Sequence, residues 1–138
     1  MNGLKGLLIS GATWLGAILL AALGGWDAIL YFLFTAILLD YAAGTIARAI
    51  KREPFRWERS YVGLLKKLAY FIAIATAVLV EKFLRVHGIE THELLRTLTI
   101  TVLMATEVHS IYGHLRVCGL DLPASITDAI DQVRRKKE

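Results

Sequence analysis

The stretch GLLISGATWLGAILLAALGGW, residues 6–26, holds 21 consecutive positions without a charged side chain. As an α-helix rising 1.5 Å per residue it would measure roughly 31 Å, against a hydrocarbon thickness of about 30 Å. It reads as a membrane span. A cleaved signal peptide is the competing reading, because Lys5 precedes the run and Ala21, Ala22, Gly24 and Gly25 are small enough for a peptidase. Length argues against cleavage, since such apolar cores run about 7 to 15 residues.

The rest of the chain has the same character. Of 138 residues, 56% are hydrophobic and 20% charged, below the roughly one-quarter charged that soluble domains carry. Further spans are predicted at about 28–47, where Asp40 is the only charge, and at about 64–83, which opens on Lys66 and Lys67 and is uncharged from 68 to 80. A fourth, at about 94–117, carries Arg96, Glu107, His109 and His114. A soluble amphipathic helix competes there, but nothing else in the chain would supply a soluble core for it to join. Four spans use about 80 residues, leaving little for a catalytic domain.

The expected fold is therefore all-α and polytopic, with a membrane domain over 1–118 and a tail over 119–138. In the tail Pro123 and Ser125 can start a helix, and Ile126, Ala129, Ile130 and Val133 recur at three- and four-residue spacing. That pattern predicts a short amphipathic helix lying on the membrane or on a neighbouring subunit. The single cysteine, Cys118, excludes an internal disulfide and any Cys-based cluster within one chain.

Positive residues set the expected orientation. Arg48, Lys51, Arg52, Arg56, Arg59, Lys66 and Lys67 crowd the second connection and its flank, Lys5 precedes the first span, and Arg116, Arg134, Arg135, Lys136 and Lys137 follow the fourth. Only Lys82, Arg85 and Arg96 fall on the other side. Because lysine and arginine accumulate on the cytoplasmic face, both termini should be cytoplasmic. Phe55, Trp57 and Tyr61 interleave with the basic connection, which superficially suits nucleic acid. Directly between two spans the same residues form an aromatic belt over anionic headgroups, so no nucleic-acid partner is expected.

Two carboxylates, Asp40 and Glu107, fall near the centres of apolar segments. Such groups cost about 2.5 to 3.5 kcal/mol on insertion scales and so should point toward other helices or water. No lysine or arginine is expected at their depth, which leaves protonation, neighbouring hydrogen bonds or a wet cavity as solutions. Ser110 shares a helix face with Glu107. Ser110, Glu107 and His114 can be strung along one side of a helix, but without an elbow or oxyanion loop no catalysis is expected. His87 and His92, like His109 and His114, are five apart, a rotation of about 140° on a helix that makes them poor joint ligands. Neither metal nor cofactor is expected. Small residues repeat at four-residue spacing at Ala12 and Gly16, at Ala17 and Ala21 and at Ala69, Ala73 and Ala77, while Ala36, Asp40 and Gly44 form a mixed small and polar line. These faces suit close helix packing in lipid, within a subunit or between subunits.

With these segments in view the chain resembles the phage-lysis and toxin-secretion holin family. The similarity runs through Gly25-Trp26-Asp27, Leu39-Asp40-Tyr41 with Gly44, Gly63-Leu64 with Lys66-Lys67, Glu107 with Ser110-Ile111, and Gly119-Leu120 with Pro123, covering about residues 24 to 135. Departures are Thr106 where the family usually has Asn, Gly113 and His114 where it has Glu-Asn, and Glu81 where it has Asp. A second start methionine, a timing device in some holins, would need a Met near the first, and the next here is Met104. The resemblance implies a small protein that self-associates in the cytoplasmic membrane and opens lesions at a set time. A cell-wall hydrolase (endolysin) or a secreted toxin would pass through them, a functional partner that needs no direct contact. Two other classes stay open: a small oligomeric proton-coupled transporter titrating Asp40 or Glu107, and a membrane anchor whose basic loop and tail recruit a cytoplasmic partner.

Overall fold

The computed structural model describes residues 2–54, 56–121 and 123–136. The expectations placed on Phe55 and Lys137, and on the side chains of Ile130, Val133 and Arg134, lie outside the described residues. The chain is all-helical: α1 Asn2–Ala22, α2 Ala28–Ile50, α3 Trp57–Val86, α4 Leu94–Val117 and α5 Ala124–Arg135. Three of these, α1, α2 and α3, are long and apolar enough to cross a membrane. The fourth expected span forms a helix but falls short on composition, because its apolar run is broken by ionisable residues.

Each boundary has a local cause. The first helix stops at Ala22, four residues before the apolar run ends, because Gly24 and Gly25 adopt φ of +81° and +94° and Gly25 N–H donates back to the carbonyl of Leu20 at 2.8 Å. Asp27 then starts α2 by accepting from the Leu30 amide at 3.1 Å. α2 ends where Glu53 N–H returns to the Arg48 carbonyl at 3.1 Å, with Arg52 at φ +54° and Pro54 just beyond. α3 starts at Trp57, well before the expected 64, since hydropathy located only its apolar part. It ends through Gly88 at φ +78°, with Ile89 N–H on the Leu84 carbonyl at 3.0 Å.

The start of α4 is capped from another helix. Glu93 at its N-cap makes no side-chain cap bond. Glu81 of α3 accepts instead from the amides of Leu95 at 2.6 Å and Arg96 at 3.3 Å, placing a carboxylate against the positive end of the helix dipole.

Helix α4 is the centre of the packing. It lies against both α2 and α3, which meet mainly through it. Leu30 and Leu33 of α2, Ile74 of α3 and Ile100 of α4 form the fully buried core, with Leu23, Ile29, Ile37, Leu103 and Met104 packed around it. The buried face of α2 continues through Ala36, Asp40, Ala43, Gly44 and Ala47, so the small and polar line predicted there does face the interior. The alanine line of α3 behaves differently. Ala69 and Ala73 are exposed and Ala77 half-buried, because the inward face of α3 runs through Lys67, Ile74, Val78 and Glu81. Ala12 is exposed as well, and a side chain added at Gly16 would meet nothing.

Helix α1 has almost no partner within the chain beyond a short contact with α3. Trp14 is 72% and Ile18 62% exposed. An apolar helix bare on all sides is stable only in lipid or against other chains. The tail helix α5 does not extend away but turns back on α4, where Ser125, Ile126 and Ala129 face Met104, Ala105 and Val108 across an apolar cleft of about 510 Å³.

Candidate functional site

Two charged clusters tie the helices together, one at the start of α4 and one about midway along it. At the end beside the α1–α2 turn, Arg96 is 2% exposed and uses its guanidinium as a hub. It donates to Asp27 through Nη1 at 2.6 Å and Nη2 at 3.0 Å, to the Leu23 carbonyl at 2.7 Å and to the Gly25 carbonyl at 3.2 Å. The forked, five-donor group of arginine suits such a set of planar acceptors. Gly24 is part of the fit. A Cβ there would lie 2.7 Å from Arg96 Nε and 2.9 Å from its Cδ, at a φ that costs an L-residue about 1–2 kcal/mol. Gly24→Ala should therefore lower thermal stability in detergent by at least that amount, by strain and by displacing Arg96.

Arg96 donating to its carboxylate holds the Asp27 pKa below the ordinary 3.8; burial opposes this and the Leu30 amide assists it. A depressed carboxylate contributes its stabilisation in full above the unfolded value and loses it as pH falls through the folded one. Thermal unfolding of the purified chain should therefore be insensitive to this bridge from neutrality down to about pH 4, weaken below it, and lose that acid limb in Asp27→Asn.

The second cluster lies further along the bundle. Lys67 of α3 bridges two carboxylates on two other helices, Asp40 of α2 at 3.0 Å and Glu107 of α4, its partner in both a hydrogen bond and an ion pair. Glu107 is 2% exposed, and the ring of Tyr70 lies 5.9 Å from the Lys67 ammonium. The other oxygen of Asp40, Oδ1, is buried without a hydrogen bond. His114 Nε2 lies 3.5 Å from it, beyond normal hydrogen-bond reach. His114 occupies the space that Gly44 leaves: a Cβ on that glycine would sit 3.1 Å from Nε2.

This arrangement corrects two expectations. A lysine does reach the depth of Asp40 and Glu107, and Lys67 points inward instead of joining Lys66 at the membrane surface. The reason is the earlier start of α3, which puts Lys67 ten residues from Trp57, or about 15 Å along the axis. Of the other candidates, His114 joins the cluster at its edge. Ser110 is half-buried one turn beyond Glu107 and, among the described residues, makes no hydrogen bond to it. Arg48, in the last turn of α2, donates to the Gly44 carbonyl at 3.1 Å and to Ser60 Oγ at 3.4 Å. Lys51, Arg52, Arg56, Arg59 and Lys66 are exposed, with Arg59 3.7 Å from Glu53.

Sequence reasoning missed the roles of Lys67, Tyr70, Glu81, Asp27 and Arg96. For α3 a signal existed: Lys67, Tyr70, Ile74, Val78 and Glu81 recur at three- and four-residue spacing, a single helix face with charges at both ends. For the Arg96–Asp27 pair there was none, because the partners are 69 positions apart.

As chemistry, the cluster holds one ammonium between two carboxylates inside a helix bundle. It carries a net negative charge when both are ionised, and one carboxylate oxygen remains open to a proton or water. Residues 17–135 match the model of the bacteriophage holin family. The chain belongs to that family. Membership and the three apolar helices together point to a membrane protein. The holin-family match spans every residue of both clusters.

Among curated relatives, an uncharacterized protein of Halalkalibacterium halodurans is 27% identical over 121 residues, which cover 85% of this chain and 89% of the relative. The uncharacterized protein YqxH of Bacillus subtilis is 29% identical over 101 residues, covering 73% of this chain and 68% of the relative. No solved structure matches.

Proposed function

We propose that this holin-family chain crosses the cytoplasmic membrane four times with both termini inside, self-associates there, and opens lesions that release a cell-wall hydrolase or a toxin. The observation that carries the reading is α1, whose apolar surface is almost entirely uncovered by the other described residues although the family match includes its C-terminal part. Lipid can cover that surface before assembly, and other copies after it.

Helix α4 serves as the fourth span because its most costly groups, Arg96 and Glu107, are each 2% exposed. Their charges are met by helices α2 and α3 and the α1–α2 turn, not by lipid. The basic α2–α3 connection and the end of α4 lie at one end of the bundle, as Gly44 against His114 shows, and the positive-inside rule places that end in the cytoplasm. Against lipid, the exposed Asp128, Asp131 and Arg135 would draw α5 out to the cytoplasmic surface.

In a closed subunit the charges of Lys67, Asp40 and Glu107 meet one another inside the bundle. A lesion needs a polar wall, and rearrangement of α2, α3 and α4 would turn these same side chains from interior ties into water-facing groups. The open oxygen of Asp40 also fits a proton-coupled transporter, the second reading. Timed expression in bacteria with and without a co-expressed cell-wall hydrolase separates the two, with membrane potential and release of a cytoplasmic enzyme as readouts. Abrupt depolarisation and hydrolase-dependent lysis are expected. A gradual, pH-dependent movement of one solute in otherwise intact cells would favour transport.

A further inference from the structure

Because α4 holds α2 and α3 apart, a cleft of about 550 Å³ opens between the second half of α2 and the first half of α3, with the end of α4 as its back wall. Its blind end is closed by the Asp40–Lys67 bridge and His114. Its mouth carries Arg48, Lys51 and Arg59 against one carboxylate, Glu53. The wall between is largely apolar and aromatic, including Leu64, Val117 and Tyr61.

We propose that this cleft binds one anionic phospholipid, the headgroup phosphate among Arg48, Lys51 and Arg59 and an acyl chain against Leu64, Val117 and Tyr61. The inference rests on the membrane placement of the chain and not on lesion formation. Charge complementarity identifies the occupant: a cationic rim leading into an apolar slot matches an amphiphile with a negative head, whereas a free phosphate would use the rim alone. Arg48 is held in place by its bonds to Gly44 and Ser60, two contacts that leave several of its five donors for an oxyanion. The site lies at the end of α2 where Trp57 and Tyr61 begin α3, the position where aromatic and basic side chains meet headgroups.

The test uses the full chain in neutral detergent, titrated with phosphatidylglycerol, phosphatidylcholine or glycerol phosphate, with thermal unfolding and native mass spectrometry as readouts. One phosphatidylglycerol per chain should be retained, and it should raise the unfolding temperature where phosphatidylcholine does not. Lys51→Ala/Arg59→Ala should weaken that binding about 25-fold, from about 1 kcal/mol per cation. Lys66→Ala/Arg116→Ala removes the same charge at this end of the bundle but outside the cleft, and should change binding no more than about threefold, acting only through the screened field. Gly63→Leu adds bulk where a Cβ meets nothing and improves helix propensity, so it should displace the lipid while the chain stays folded. Equal losses in the two double variants would reduce the effect to diffuse surface attraction and overturn the site. So would competition by glycerol phosphate as strong as by the lipid, indifference to headgroup charge, or protection of the cleft that rises with protein concentration in lipid-free detergent, the mark of a second copy there. Lipid retention with no lysis in cells would leave the site standing and count against the lesion reading alone.

Discussion

Replacing Lys67 by Met is expected to destabilise the purified chain by about 3–5 kcal/mol, the usual consequence of removing one partner from a buried ion pair. The variant leaves Asp40 and Glu107 inside the bundle without the ammonium that had bridged them, and with no strong cation in its place. His114 sits 3.5 Å from Asp40 and can compensate only in part. The control is the triple change Lys67→Met, Asp40→Asn, Glu107→Gln, which removes every charge together and should recover most of the loss, as apolar replacement of whole buried networks often does. Thermal unfolding in detergent measures both. In cells, at equal membrane accumulation, lysis should begin earlier for Lys67→Met, whose closed subunit is weakened, and later for the triple variant, which lacks the polar wall. A single variant as stable as the parent, together with a triple variant of unchanged timing, would show the cluster to be unimportant for both roles.

The second large effect is at the start of α4. Arg96→Leu should cost about 3 kcal/mol or more, because it strips three acceptor groups, two of them backbone carbonyls of the α1–α2 turn, of a single buried donor. Arg96→Lys should recover little, since a point-charge ammonium cannot reach both oxygens of Asp27 and two carbonyls at once. Limited proteolysis gives an independent readout. Cleavage near residues 23–27 should rise in Arg96→Leu while the α2–α4 contact through Leu30, Leu33 and Ile100 stays protected. Unchanged cleavage at that turn would mean that its two glycines alone hold it.

How much was legible depends on the range of the interaction. The helices around 28–50 and 94–117 were readable because a run of apolar side chains declares itself within a single segment. The inward direction of Asp40 and Glu107 was readable too, since the solvation cost of a carboxylate is a property of that group alone. Lys67 was misread for the same reason: hydropathy scored the lysine pair as an edge, although consecutive helical residues point about 100° apart, so that Lys66 faces out while Lys67 turns in. The alanine spacing of α3 was real, but periodicity cannot say which of several faces a neighbour will cover.

Sequence by itself determined the class of this molecule. A charge-poor, helix-length apolar pattern admits few environments other than lipid, and the concentration of arginine and lysine between the second and third helices is a one-dimensional fact. Tertiary structure alone decided that α4, the one long helix of the four whose apolar run is too interrupted to count as a span by composition, stands in the middle. There its arginine and glutamate meet Asp27 and Lys67 from other segments, while the most apolar helices keep their outer surfaces for lipid or for further copies. The physical reason is that burying a charge is tolerable only where an opposite charge arrives from elsewhere in the chain, and local sequence does not record which distant residue that will be.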